Sequence, residues 1–175
     1  VAHPALREKS RGLPLAIGHG HLAAMSVAYL TRRVTFAAAH RYSRPDWDDA
    51  RNAAVFGACA HPNFHGHSYV CDVTVSGRID PATGFCVDLA RLDAILAREV
   101  RERFDHRNLN LDVPEFADGR DIPTGENLAR LIFDRVQEQL GSDNTVVEVV
   151  VAEDDTLRVA YRGDASRGIA AAGTH

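Results

Sequence analysis

The sequence predicts an α+β fold in which an antiparallel four-stranded sheet carries two helices on one face. Three observations predict it. Two runs before residue 80 alternate apolar and polar residues, the period of strands with one buried face. Between residues 88 and 140 the apolar spacing changes to three and four, the period of helices that pack through one stripe. After residue 145 a β-branched run and a short apolar segment flank an Asp-Asp turn, the pattern of a closing hairpin.

In the first run, between Ser26 and His40, the residues Val34, Phe36, Ala38 and His40 share one parity, so His40 ends that row. A polar stretch with Pro45, Trp47 and several aspartates, running to about Gly57, reads as a loop or short irregular insertion. The second strand begins near His65. It places His65, His67, Tyr69, Cys71, Val73 and Val75 on one face, and Ser68, Asp72, Thr74 and Ser76 on the other. The turn Asp80-Pro81-Ala82-Thr83-Gly84 then predicts that Phe85 to Val87 returns as a hairpin partner. Asp88 is placed as the N-cap of a helix carrying Leu89, Leu92, Leu96, Val100 and Phe104. After an irregular stretch containing Pro114, a second helix opens at Thr124, buries Leu128, Leu131, Ile132, Val136 and Leu140, and stops at Gly141. Val146 to Glu153 puts Val147, Val149, Val151 and Glu153 on one parity, and Leu157 to Tyr161 completes the hairpin. Such a sheet has open edges, which predicts an oligomer built by edge pairing.

A length of 175 residues fits one domain, and 45% apolar with 25% charged residues is the composition of a folded globular chain. A net charge of -4 excludes a positive field for unspecific nucleic-acid binding. No apolar run is long enough to predict a membrane span, so neither nucleic acid nor membrane is an expected partner. Three unevenly spaced cysteines, Cys59, Cys71 and Cys86, do not suggest a disulfide framework and fit a reducing cytoplasm. Lys9 and Met25 are the sole lysine and methionine. That asymmetry sets residues 1–24 apart as an extension, either an upstream start or an appended remnant, from a domain over 25–163. The Ala- and Gly-rich tail over 164–175 reads as flexible.

His65-Gly66-His67 puts two imidazoles at i and i+2 on a strand, where both reach one side. A third imidazole would complete an open metal site with a fourth position free, and His40 is the best candidate. A bare His-x-His pair is more often two surface residues in a turn, and His19-Gly20-His21, with no strand after it, is given no role. Cys59, six residues before His65, changes the balance. A thiolate near a divalent cation is favoured and serves as base or nucleophile, although the same cysteine is also chemically acceptable as a ligand. Asp105-His106 pairs an orienting carboxylate with a proton carrier, or is a charge pair at a helix end. Glu153 shares its parity with a valine run, where a buried carboxylate needs a partner. A guanidine-like ring edge with two parallel N–H donors is one such partner, and the alternative is a plain turn residue.

Phe36-Ala37-Ala38-Ala39-His40-Arg41, Cys59-Ala60-His61-Pro62-Asn63-Phe64-His65-Gly66-His67-Ser68-Tyr69, Phe104-Asp105-His106-Arg107-Asn108-Leu109-Asn110, Pro123-Thr124-Gly125-Glu126-Asn127 and Glu153 resemble the ordered motifs of the 6-pyruvoyl-tetrahydropterin synthase family. That family includes the 6-carboxy-tetrahydropterin synthase of queuosine biosynthesis. The resemblance implies the tunnelling fold, with sheets joined between subunits into a barrel and a homohexamer formed as a dimer of trimers. It implies Zn2+ on His40, His65 and His67, Cys59 as base with Asp105 and His106 as proton relay, and Glu153 holding the pterin edge in a pocket that Thr124 and Glu126 help line. Two departures stand out: Ser68 replaces an asparagine, and Phe64 occupies a position often held by glycine.

The implied activity is that of a lyase which eliminates triphosphate from 7,8-dihydroneopterin triphosphate on the route to tetrahydrobiopterin. The five residues between Cys59 and His65, with Gly77-Arg78-Ile79-Asp80-Pro81-Ala82-Thr83-Gly84, resemble the pyruvoyl type more than the carboxy type. The alternatives are the 6-carboxy-5,6,7,8-tetrahydropterin synthase, a non-catalytic zinc- and pterin-binding oligomer, and a pterin-related hydrolase that turns the metal on water. Cys59 beside the histidines counts against the last.

Overall fold

The structure, a computed structural model, describes residues 26–163. The expectations for residues 1–24, including His19-Gly20-His21, and for the tail over 164–175 lie outside the described residues.

Five strands form one sheet in the order β3-β1-β2-β4-β5. Strands β1 (Val27–His40) and β2 (His65–Arg78) pair antiparallel over their whole length, from Val27 opposite Arg78 to His40 opposite His65. Strand β4 (Thr145–Ala152) pairs with the other edge of β2, and β5 (Arg158–Tyr161) closes the hairpin with β4. The four expected strands are thus present and antiparallel. The fifth, β3 (Arg107–Asn108), was not expected and runs parallel to β1 at Ala38 and Ala39. It forms because the His106 N–H donates to the Ala37 carbonyl at 2.6 Å while the Asp105 carboxylate accepts from the Ala37 N–H at 2.8 Å. Those two bonds satisfy an edge that β1 would otherwise leave bare.

Alternation sends Val34, Phe36, Ala38 and His40 of β1 to one face with Tyr69, Cys71, Val73 and Val75 of β2, and all are buried. Two helical segments cover this face. Helix α2 (Leu89–Leu96) continues through a π turn (Ala97–Arg101) into α3 (Glu102–Phe104), with Asp88 accepting from the Arg91 N–H as N-cap. After the short α4 (Leu109–Asp112), α5 (Gly125–Leu140) is capped by Thr124 and ends at Gly141, whose φ of 72° suits glycine. Leu92, Leu96, Val100 and Phe104 from the first, and Leu128, Ile132, Val136 and Leu140 from the second, pack into the core. Leu89, expected in that stripe, is 36% exposed because it sits in the first turn, and Leu131 is only partly buried.

Three expectations are corrected. The stretch read as a loop contains helix α1 (Asp49–Phe56), nucleated by Asp48, which accepts from the Arg51 N–H at 2.7 Å. Trp47 stacks on Phe56 at 5.8 Å, and the buried Asn52 amide donates to the carbonyls of Arg44, Trp47 and Asp48, so the entry to this helix is locked. Phe85 to Val87 is not a strand. The Cys86 carbonyl is taken by the Asn144 side chain at 2.8 Å, which also donates to Ser76, so an asparagine rather than a ladder joins this segment to the end of β2. Gly77 permits that approach, since a Cβ there would run into the Cys86 carbonyl. Finally, the β2–β4 register shifts between Thr74 and Val75. This bulge turns Val146 rather than Val147 into the core.

The opposite face, with Ala37, Ala39, Ser68, Val70, Val150 and Ala152, is more open and carries a bidentate Arg33–Asp72 pair. No helix among the described residues is long and apolar enough to cross a membrane.

Candidate active site

The antiparallel register sets His40 directly across from His65, and alternation brings His67 to the same face of β2. The three rings meet edge to face, with centroids 4.6 to 5.0 Å apart. One ligand atom from each lies within 4.8 Å of the others, and no other such group occurs among the described residues. His40 is fully buried. Its Nδ1 stands 2.9 Å from the Pro123 carbonyl, which only accepts, so Nδ1 carries the proton and the Nε2 lone pair is free. That Nε2 is 3.1 Å from His65 Nε2. His67 Nε2 is buried without a hydrogen-bond partner.

An orphaned buried nitrogen beside two converging lone pairs is what a bound cation would satisfy, and a carbonyl behind one ligand is the usual outer support of a metal histidine. The residues therefore fit a metal. Burial, reinforced by His65 and His67, pushes His40 down to about 4 despite the opposing bond to Pro123, and burial then His67 lower His65 as well. Folded protein thus resists a proton that the unfolded chain accepts below about 6.5. The metal-free protein is expected to be most stable above that pH and to lose melting temperature as pH falls toward 4. A thermal-melt series across that range checks the sign.

Glu153 follows β4, is 6% exposed, and accepts from the Tyr42 hydroxyl at 2.9 Å. Its other oxygen lies 3.8 Å from His67 Nε2. The turn itself is made by Asp154, whose carboxylate accepts from the Thr156 and Leu157 N–H groups, so Glu153 is free to face inward. Cys59 lies in the 3-10 turn Gly57–Ala60 after α1, is half-buried, and accepts through its carbonyl from the Tyr42 N–H at 2.7 Å. Burial, and next the charge of Glu153, raises its thiol. It stands outside the converging ligand set. Thr124 accepts from the Asn127 N–H as the cap of α5, and Glu126 is exposed in the first turn of that helix.

Asp105 and His106 are placed differently. They hold the outer edge of β1, and the His106 side chain is 85% exposed, 3.8 Å from Asp105. Within this chain they do not join the histidine group.

The chain matches the family model described as 6-pyruvoyl tetrahydropterin synthase over residues 29–164. It belongs to that family. The human 6-pyruvoyl tetrahydrobiopterin synthase is 41% identical over 137 residues, 78% of this chain and 92% of that protein. The 6-carboxy-5,6,7,8-tetrahydropterin synthase of Bacillus subtilis is 35% identical over 111 residues, 61% of this chain and 71% of that protein. Among solved structures, the Caenorhabditis elegans 6-pyruvoyl tetrahydropterin synthase superposes with a TM-score of 0.75 at 32% identity, covering 80% of this chain and 98% of that one. The chain therefore has the tunnelling fold.

Against the 6-pyruvoyl-tetrahydropterin synthase pattern, the departure at Phe64 has a backbone cost. Its φ is 59°, the left-handed region that glycine enters freely, and a phenylalanine there stores on the order of 1 kcal/mol. Three residues at this site escaped the sequence reading. Strand parity puts Tyr69 on the right face but carries no sign of its contact, a hydroxyl 3.1 Å from His40 Nδ1. Pro123 acts through a carbonyl, which no side-chain pattern reports. Tyr42 lies beyond the end of β1, where parity no longer applies.

Proposed function

We propose that the chain is a zinc-dependent 6-pyruvoyl-tetrahydropterin synthase, a lyase that eliminates triphosphate from 7,8-dihydroneopterin triphosphate. The observation that carries this reading is the convergence of three imidazole nitrogens beside a buried carboxylate in a chain 41% identical to the human synthase. His40, His65 and His67 would hold the metal, and an all-nitrogen set of three with a fourth position open suits Zn2+. When bound, the ion supplies Lewis-acid polarisation of a substrate hydroxyl, which acidifies the adjoining C–H.

The chain's own residues do the rest. Glu153 accepts the paired N–H donors of the amino-pyrimidine edge and so orients the pterin. Cys59 takes the side-chain proton. Its raised thiol leaves little thiolate near neutral pH, so it depends on positive charge nearby. Thr124 and Glu126 line the pterin pocket at the start of α5. Asp105 and His106 relay protons. Since His106 is exposed at the β1 edge, it serves a neighbouring subunit's site across joined edges, in a hexamer of two trimers whose sheets close a barrel. The free thiols suit a cytoplasmic setting.

The carboxy product is the second reading, favoured by the similarity to the Bacillus subtilis protein. Incubating the metal-loaded protein with 7,8-dihydroneopterin triphosphate is expected to release triphosphate, and a chelator is expected to abolish that release. Mass spectrometry of the pterin product separates pyruvoyl from carboxy. Pterin binding without any triphosphate release would replace the enzyme with a binding oligomer.

A further inference from the structure

We propose that Tyr42 is a positioning residue which fixes the plane of the Glu153 carboxylate and thereby sets the preference for an amino-pyrimidine ring. The proposal rests on the pterin-binding reading above and adds to it the element that aims the carboxylate.

Tyr42 leaves the β1 ladder two residues after His40 and is pinned at both ends. Its N–H donates to the Cys59 carbonyl at 2.7 Å, and its hydroxyl donates to Glu153 Oε1 at 2.9 Å. Between them the ring meets His40 edge-on at 4.9 Å and Phe56 at 6.0 Å. A phenol held by its backbone and two aromatic neighbours has little freedom, so its hydroxyl marks a fixed point. A carboxylate oxygen only accepts, so the phenol is the donor in this pair.

Glu153 needs such a point. The terminal torsion of a glutamate is broad, so backbone placement alone does not set the direction of its two oxygens. Oε2 is 3.8 Å from His67 Nε2, too far for a hydrogen bond. The Tyr42 hydroxyl is therefore the one side-chain donor recorded on this carboxylate among the described residues. An oxygen with two lone pairs accepts it and a ligand N–H together. A fork aimed at two parallel N–H groups discriminates against a ring carrying a 2-oxo group, whose oxygen would face the carboxylate.

Tyr42→Phe removes the hydroxyl but keeps the ring contacts and the backbone bond to Cys59. The test titrates wild type, Tyr42→Phe, Glu153→Gln and the double variant with pterin and with its 2-oxo counterpart lumazine. Ligand fluorescence reports binding, with metal content and melting temperature measured alongside. Wild type is expected to prefer pterin. Tyr42→Phe is expected to bind pterin roughly tenfold more weakly, as loss of a hydrogen bond to a charged group implies, with the preference over lumazine shrinking by a similar factor and metal content unchanged. On the Glu153→Gln background, Tyr42→Phe is expected to change little, because the group it aims is already altered. An undiminished preference in Tyr42→Phe, or fully additive losses in the double variant, overturns this proposal alone. Failure of wild type to bind pterin at all overturns the functional reading and this proposal with it.

Discussion

Replacing Cys59 with alanine is expected to lower the rate of triphosphate release by about 10²–10⁴-fold, the range for removing a positioned acid–base group. The thiol is half-buried and held to the site by the bond between its own carbonyl and the Tyr42 N–H. That bond is made by main-chain atoms and survives the substitution. Metal content and pterin affinity are therefore expected to stay close to wild type while kcat collapses, the pattern of an interaction used only in the transition state. A rate within a few-fold of wild type, with metal bound, would remove Cys59 from the base role. Joint loss of metal would instead make the cysteine part of the coordination sphere.

The second large effect is expected from His40→Ala. His40 is fully buried, and its ring fills space between Tyr42, Tyr69 and the two other histidines. Truncation leaves a cavity and deprives the Pro123 carbonyl of its partner, so the metal-free protein should lose about 2–5 kcal/mol. Metal binding should be lost as well, since two ligands remain. His65→Ala separates the two effects. Its ring is only half-buried, so it is expected to lose metal with a much smaller change in denaturant midpoint. Equal stability of the two variants without metal would show that His40 has no structural role beyond ligation.

Much of the site was legible because it is written in strand parity. His40 closes the row Val34, Phe36, Ala38, and His65 and His67 open the row Tyr69, Cys71, Val73, so side-chain alternation alone put all three on the core side. Glu153 was legible for the same reason, although the bulge at Val75 shows that the row was not uninterrupted. What escaped has a different origin. Helix α1 depends on Asp48 as a cap and on Asn52 folding back onto three carbonyls, local polar chemistry hidden in a segment with no apolar period. Strand β3 forms where distant Ala37 offers both its backbone groups, and in the segment Phe85 to Val87 the Cys86 carbonyl is held by distant Asn144. Such contacts span tens of residues and leave no periodic trace. The open position of His106 was equally unreadable, since a helix end carries no signal of which side of a sheet edge it will face.

The uninterrupted pairing of β1 with β2, 14 residues on each strand, also bears on how the protein reaches its working state. Sliding one strand past the other by a single position would carry both β2 imidazoles to the wrong side while leaving the backbone bonding intact. Only the alignment that buries the apolar row Tyr69, Cys71, Val73 and Val75 also brings His65 and His67 to His40, so core packing and site geometry select the same register.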